Sequence, residues 1–169
     1  TVNENILLNK IILYHMHRLI FDFKSKNIGE ISSYDLIAYI LTSFILKKNN
    51  EKQIYFLSLV INFQLDKLGM HKTYNVLEHA KFINNLYELK NILLYFKITV
   101  PKEIDENLIK MNSILNEYFH VDGSIPLFNG SNNNYTKIIY NSLNKDEYLK
   151  SRTFSNVKNG LAFFSYKNQ

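Results

Sequence analysis

The run Gly69-Met70-His71-Lys72-Thr73-Tyr74-Asn75-Val76-Leu77-Glu78-His79-Ala80 gathers two His, a Tyr, an Asn and a Lys in one short stretch. Tyr and His are suited to remove and return protons, each such group contributing typically ~10²–10⁴-fold to a rate. Asn, His or a cation stabilises negative charge that develops as a proton is removed. Asn75 and His79 stand four positions apart, so a helix would bring them to one face. On this reading His71, Tyr74, Asn75 and His79 line a groove as proton-moving and charge-stabilising residues, and Lys72 offers positive charge to an anionic ligand. A plainer reading of the same residues stands beside it. His71 and Tyr74 would then cap a helix, and His79 would be a satisfied, partly buried side chain.

Other chemistries find less support. There is no Cys, so thiolate metal sites, disulfides and a thiol nucleophile are excluded. His15 and His17 lie two apart on a helix and point to different sides, a poor metal pair even with Asp22 nearby. Glu78-His79 lacks the second His of a zinc-binding helix. The five Gly are dispersed and build no phosphate-cradling loop. No metal and no cofactor are therefore expected. The formal charge of +5 favours an acidic partner, but only Arg18 and Arg152 carry guanidinium, which argues against nucleic acid. Every apolar run is interrupted before it reaches the length of a membrane span.

The elements that would position these residues are helices. Apolar positions recur at helical spacing over 4–24, with Ile6, Leu7, Ile11, Leu13, Tyr14, Leu19 and Ile20 on the pattern. Ser32 or Ser33 caps the next helix, Tyr34 to Lys47. A third runs from Glu51 to Lys67, closed by Gly69, with Leu65 and Leu68 on its apolar face. The fourth, about Tyr74 to Lys97, ends before Pro101, and a fifth extends from Lys102 to Phe119. Short connections predict antiparallel helical hairpins. Asn134 to Leu143 and Asp146 to Lys150 read as shorter helices. The tail changes period: Asn159-Gly160 sits between runs rich in aromatic and β-branched residues, a β-hairpin signal. The chain opens at Thr1 and stops after a strand-like run, so a fragment is expected, with helical residues 1–151 and the first strands of a β-domain at 152–169.

Between helices lies FHVDGSIPLFNGSNNN, Phe119 to Asn134, with Asp122-Gly123, Pro126 and Asn129-Gly130 all opposing helix. It reads as a rigid connector, or as a loop that turns His120 and Asn129 toward a groove. HVDGSIPLFNGS resembles the His-Pro-Asp-Gly-Gly-Ile-x-Leu-Phe-Asn-Asp stretch that ends the helical domain of heparinase II/III-like proteins. GMHKTYNVLEHA is similar to their Asp-Gly-Gly-His-x-Glu-Arg-Ser-Pro-x-Tyr-His segment, with Gly69, His71 and His79 in step. The order and spacing of the two motifs, over roughly residues 30–169, fit as well.

That resemblance implies a bacterial polysaccharide lyase or a relative of one. Its fold would be mainly α, an incomplete α/α toroid followed by a β-sandwich. Its ligand would be an acidic, uronate-containing polysaccharide, met in the periplasm or cell envelope. The catalytic set would be His71, Tyr74, Asn75 and His79, with Lys72, His120 and Asn129 holding substrate. Two departures stand out. Glu78 occupies the place of the family's Tyr before the final His, and the helix start SSYDLIAY lacks the family's Asn-His pair. A catalytically silent carbohydrate-binding or envelope-polysaccharide assembly protein on the same scaffold is the alternative, and an unrelated helical interaction module whose Tyr and Phe only fill its core is a third reading.

Overall fold

A computed structural model describes residues 2–47, 50–118, 155–158 and 161–164. Among the described residues the chain is mainly helical, with five α-helices: α1 (Val2–Ser25), α2 (Ser33–Ile45), α3 (Asn50–Gln64), α4 (Val76–Tyr95) and α5 (Lys102–Glu117). A 3-10 turn, Ile28–Glu30, separates α1 from α2. Two short strands, β1 (Ser155–Lys158) and β2 (Leu161–Phe164), pair antiparallel with Val157 opposite Ala162. The Phe119–Asn134 stretch with His120 and Asn129, the two shorter helices expected after it and the Asn159-Gly160 pair lie outside the described residues.

The chain divides into two compact units, residues 1–63 with 88–101 and residues 64–87 with 102–169. In the first, α1 packs on α2. Among the described side chains of α1, those of Ile20 and Phe23 in its last turns reach the core, whereas Ile6, Leu7, Ile11 and Leu13 stay exposed. The Phe23 ring stacks on Tyr39 of α2 at 4.1 Å and meets Phe56 of α3 edge-on at 5.6 Å. Such ring pairs add to the burial of the rings themselves. Around them Leu36, Ile40, Leu57, Val60, Ile61, Leu89 and Leu93 are fully or almost fully buried.

Local signals set the helix ends. Ser32 Oγ accepts from the Asp35 amide at 3.1 Å while the Asp35 carboxylate accepts from the Ser32 amide at 2.9 Å. This reciprocal box satisfies two donors that the start of α2 would otherwise leave unpaired. At the end of α4 the Ile98 amide donates to the Leu93 carbonyl and the Lys97 amide to the Leu94 carbonyl, at 2.9 and 3.0 Å. That is a Schellman closure, and it puts Lys97 at φ 57, a backbone region that favours glycine. Most helix ends differ by one or two residues from the sequence expectation, α4 starting at Val76 rather than Tyr74, and the end of α3 differs by three. α3 stops at Gln64 rather than Lys67, because Leu65 and His71 form a β-bridge instead of a further helical turn. Leu65 is buried there, but Leu68 is 48% exposed.

In the second unit, α5 buries Ile104, Leu108, Met111, Ile114 and Leu115, and α4 buries Val76, Ala80, Ile83 and Leu86. Buried Asn112 is satisfied by donating to the Leu108 carbonyl at 2.8 Å and to the Tyr87 hydroxyl at 3.1 Å. This unit carries the connection between α3 and α4, in which the proton-moving candidates are found.

Candidate functional site

The α3–α4 connection, residues 65–75, is a short antiparallel loop clamped by a carboxylate. The Asp66 amide donates to the Met70 carbonyl at 2.8 Å and the Lys72 amide to the Gln64 carbonyl at 2.9 Å. Asp66 Oδ1 accepts from the Leu68 and Met70 amides, both at 2.9 Å. The tip turns at Gly69, whose φ of +95 is hard for any residue with a Cβ. A Cβ built there would stand 3.0 Å from Lys110 Cβ of α5, so the glycine also permits a close approach. Asp at the first and Gly at the fourth place of a turn is a pattern legible in the sequence, though Gly69 alone reads there as a helix stop.

Asn75 caps α4. Its Oδ1 accepts from the Leu77 amide at 2.8 Å and the Glu78 amide at 3.1 Å. The expectation that Asn75 and His79 share one helix face as paired groove residues meets a different geometry: Asn75 stands before the helix and turns its oxygen onto the helix's own donors. Tyr74 precedes it at φ 51, a left-handed conformation that a non-glycine residue adopts at a cost, with its amide donating to the His71 carbonyl at 2.8 Å. The Tyr74 side chain is 38% exposed.

His79 is fully buried. Its Nδ1 accepts from the His71 amide at 3.2 Å, so its proton resides on Nε2, which donates to the Met111 carbonyl of α5 at 2.9 Å. Both ring nitrogens are thus engaged. Burial pushes its pKa down to about 4, so the ring is neutral at pH 7. His79 therefore lines no exposed groove; it ties the loop to α5.

His71 lies on the outer side. Its ring packs 5.3 Å from Phe82, and its Nδ1 accepts from Thr73 Oγ1 at 2.8 Å and from the Thr73 amide at 3.4 Å. Thr73 thereby fixes the proton on Nε2 and sets the ring's orientation, a role the sequence reading did not assign. Partial burial lowers the His71 pKa, which keeps the imidazole neutral near pH 7. Lys72 and Thr73 beside it are exposed. Glu78, at the departure from the family's Tyr, pairs with Lys81 at 2.7 Å.

The arrangement has two tiers. Asp66 Oδ1, Asn75 Oδ1 and both ring nitrogens of His79 are bonded to backbone, while a half-buried, neutral His71 imidazole stands close in sequence to the exposed Lys72 and Tyr74. Among the described residues no cluster of His, Cys, Asp or Glu could hold a metal ion. None of the described helices is long and apolar enough to cross a membrane. No family model matches the chain, and neither a curated protein nor a solved structure matches it.

Proposed function

We propose that this chain is the helical part of a heparinase II/III-like protein that engages acidic, uronate-containing polysaccharide through the outer face of the α3–α4 loop. On this reading the helices belong to an incomplete α/α toroid, and the paired strands at 155–164 begin a β-domain. The observation that carries the reading is the exposure of Lys72 and Tyr74 beside a half-buried His71 on a loop whose backbone is clamped from within. A cation, a neutral imidazole donor and a flat aromatic face are a fitting set for a carboxylated sugar.

If the protein cleaves its ligand, the reaction is β-elimination. A base takes the C5 proton, the electron pair left on carbon forms the C4–C5 double bond, and the glycosidic C4–O bond breaks as an acid protonates the leaving oxygen. Lys72 neutralises the uronate carboxylate, and His71 and Tyr74 exchange the protons. Two observations favour the second reading, a silent binder on the same scaffold. His79 has both nitrogens bonded and Asn75 is consumed as a cap, so two of the four candidate catalytic residues are committed to structure. Incubation with uronate-containing glycans separates the two, since only cleavage yields the ultraviolet absorbance of an unsaturated uronate. Binding without that absorbance, lost in Lys72→Ala and Tyr74→Ala, identifies the binder. Neither absorbance nor binding with the full-length protein would overturn both.

A further inference from the structure

We propose that His79 is an acid-released latch: its neutral ring holds the His71 amide of the α3–α4 loop, and protonation at Nδ1 lets that amide go. The argument stands on which atom meets which. Nδ1 is the acceptor for the His71 amide, and Nε2–H is the donor to the Met111 carbonyl. A proton arriving at Nδ1 sets N–H against N–H on the loop side, while the bond on the α5 side survives unchanged. The ring is fully buried, so no water takes up the displaced donor. The failure is therefore one-sided, at His71 and not at Met111.

The groups acting on the ring come from the loop. The His71 ring opposes a second positive charge, and Asp66 favours it, but Asp66 Oδ1 is already turned onto the Leu68 and Met70 amides. From α5 the ring meets the Met111 carbonyl. Asp66 keeps the inner half of the loop closed after release, through its bonds to Leu68 and Met70, and the Lys72 amide stays on the Gln64 carbonyl, so the release is local to His71 within the His71–Tyr74 segment. That segment carries the proposed glycan contact. The latch concerns that same surface, yet it is measured without glycan, so it can fail while the binding reading stands, and the reverse.

With the closed-state pKa near 4 and an ordinary value of 6.5 once the ring is released, acid shifts the open-to-closed ratio by up to about 300-fold between pH 6.5 and 4. The test is an NMR titration of the isotopically labelled full chain from pH 7 to 3.5, following the His71 amide, the α5 amides and both imidazole rings. The expected result is that the His71 amide loses protection with the midpoint of the His79 ring while Met111 and Leu115 keep theirs. His71→Gln, which retains the backbone amide and removes the other titrating ring, should keep the transition. His79→Asn, whose side-chain oxygen replaces Nδ1 as a non-titrating acceptor, should abolish it. The latch is overturned if the His71 amide follows its own ring and the transition vanishes in His71→Gln. It is equally overturned if His79 titrates while the His71 amide stays protected, or if α5 loses protection at the same midpoint. Should His79→Asn not fold, the wild-type and His71→Gln titrations decide.

Discussion

The same substitution, Gly to Ala, should have opposite consequences at the two described glycines. At Gly69 the backbone sits at φ +95, and an added Cβ stands 3.0 Å from Lys110 Cβ. Left-handed backbone costs an L-residue about 1–2 kcal/mol. Cβ atoms this close force the loop or α5 to shift, and overpacking of this kind costs typically ~1–3 kcal/mol. The smaller entropy of an unfolded chain with Ala in place of Gly returns roughly 0.4–1 kcal/mol. The net loss for Gly69→Ala is therefore about 2–4 kcal/mol, a large share of the ~5–15 kcal/mol that usually separates folded from unfolded domains. At Gly29, in the 3-10 turn before α2, φ is ordinary, and the new Cβ would meet only the Phe63 ring at 3.4 Å, normal van der Waals contact. There the entropy gain is unopposed, and Gly29→Ala should be neutral or stabilising by up to about 1 kcal/mol. Urea denaturation followed by circular dichroism measures both. A Gly69→Ala midpoint equal to wild type would refute the close approach to α5 and, with it, the clamped loop on which the site is built. A Gly29→Ala loss as large as that at Gly69 would show that the φ argument discriminates nothing.

Three further outcomes follow from the same physics. Because the His79 pKa in the fold, about 4, lies below its ordinary value of 6.5, the unfolded chain binds the extra proton first. Its contribution to stability is complete above pH 6.5, falls as pH drops toward 4, and changes no further below that. The loss is about 3 kcal/mol, seen as a urea midpoint that declines over this window and declines less in His79→Gln. Asn75→Ala removes the acceptor for two amides at the start of α4 and should cost about 1 kcal/mol in thermal or urea unfolding, with Asn75→Asp close to wild type. Lys97→Gly places the residue preferred at a Schellman position where φ is 57, and should raise stability by about 1 kcal/mol despite the flexibility it adds to the unfolded chain.

The helices were legible because their signals are local. The apolar period runs through each, Ser32 caps α2, and Pro101 stands just before α5, so boundaries fall within a few residues of expectation. The end of α3 was not, because Leu65 and Leu68 continue a helical period that Asp66 interrupts by gathering the Leu68 and Met70 amides. Competition of this kind between an Asp side chain and helix is decided by what the following backbone can pair with. Asn75 was read two positions too far into a helix, although Asn is a preferred cap. A buried, satisfied His79 matches the plainer of the two sequence readings, but its partners were illegible for another reason. Its Nε2 partner, the Met111 carbonyl, is 32 residues away, and no pattern in the sequence announces a backbone acceptor at that distance.

A short connection between two helices has an obligation that competes with chemistry. The last carbonyls of one helix and the first amides of the next need partners, and buried backbone groups without them are rare. Polar side chains gather at such junctions whether or not a ligand is ever bound, so a cluster of His, Asn and Asp there has two readings until its hydrogen bonds are counted. Here the count separates them. Asp66 accepts two amides, Asn75 accepts two, and His79 uses both nitrogens. His71 differs: Thr73 engages Nδ1 and leaves Nε2 as a donor with no hydrogen bond to another described residue. Asn75 and His79, the residues that look most like its companions in the sequence, serve instead to hold the loop still.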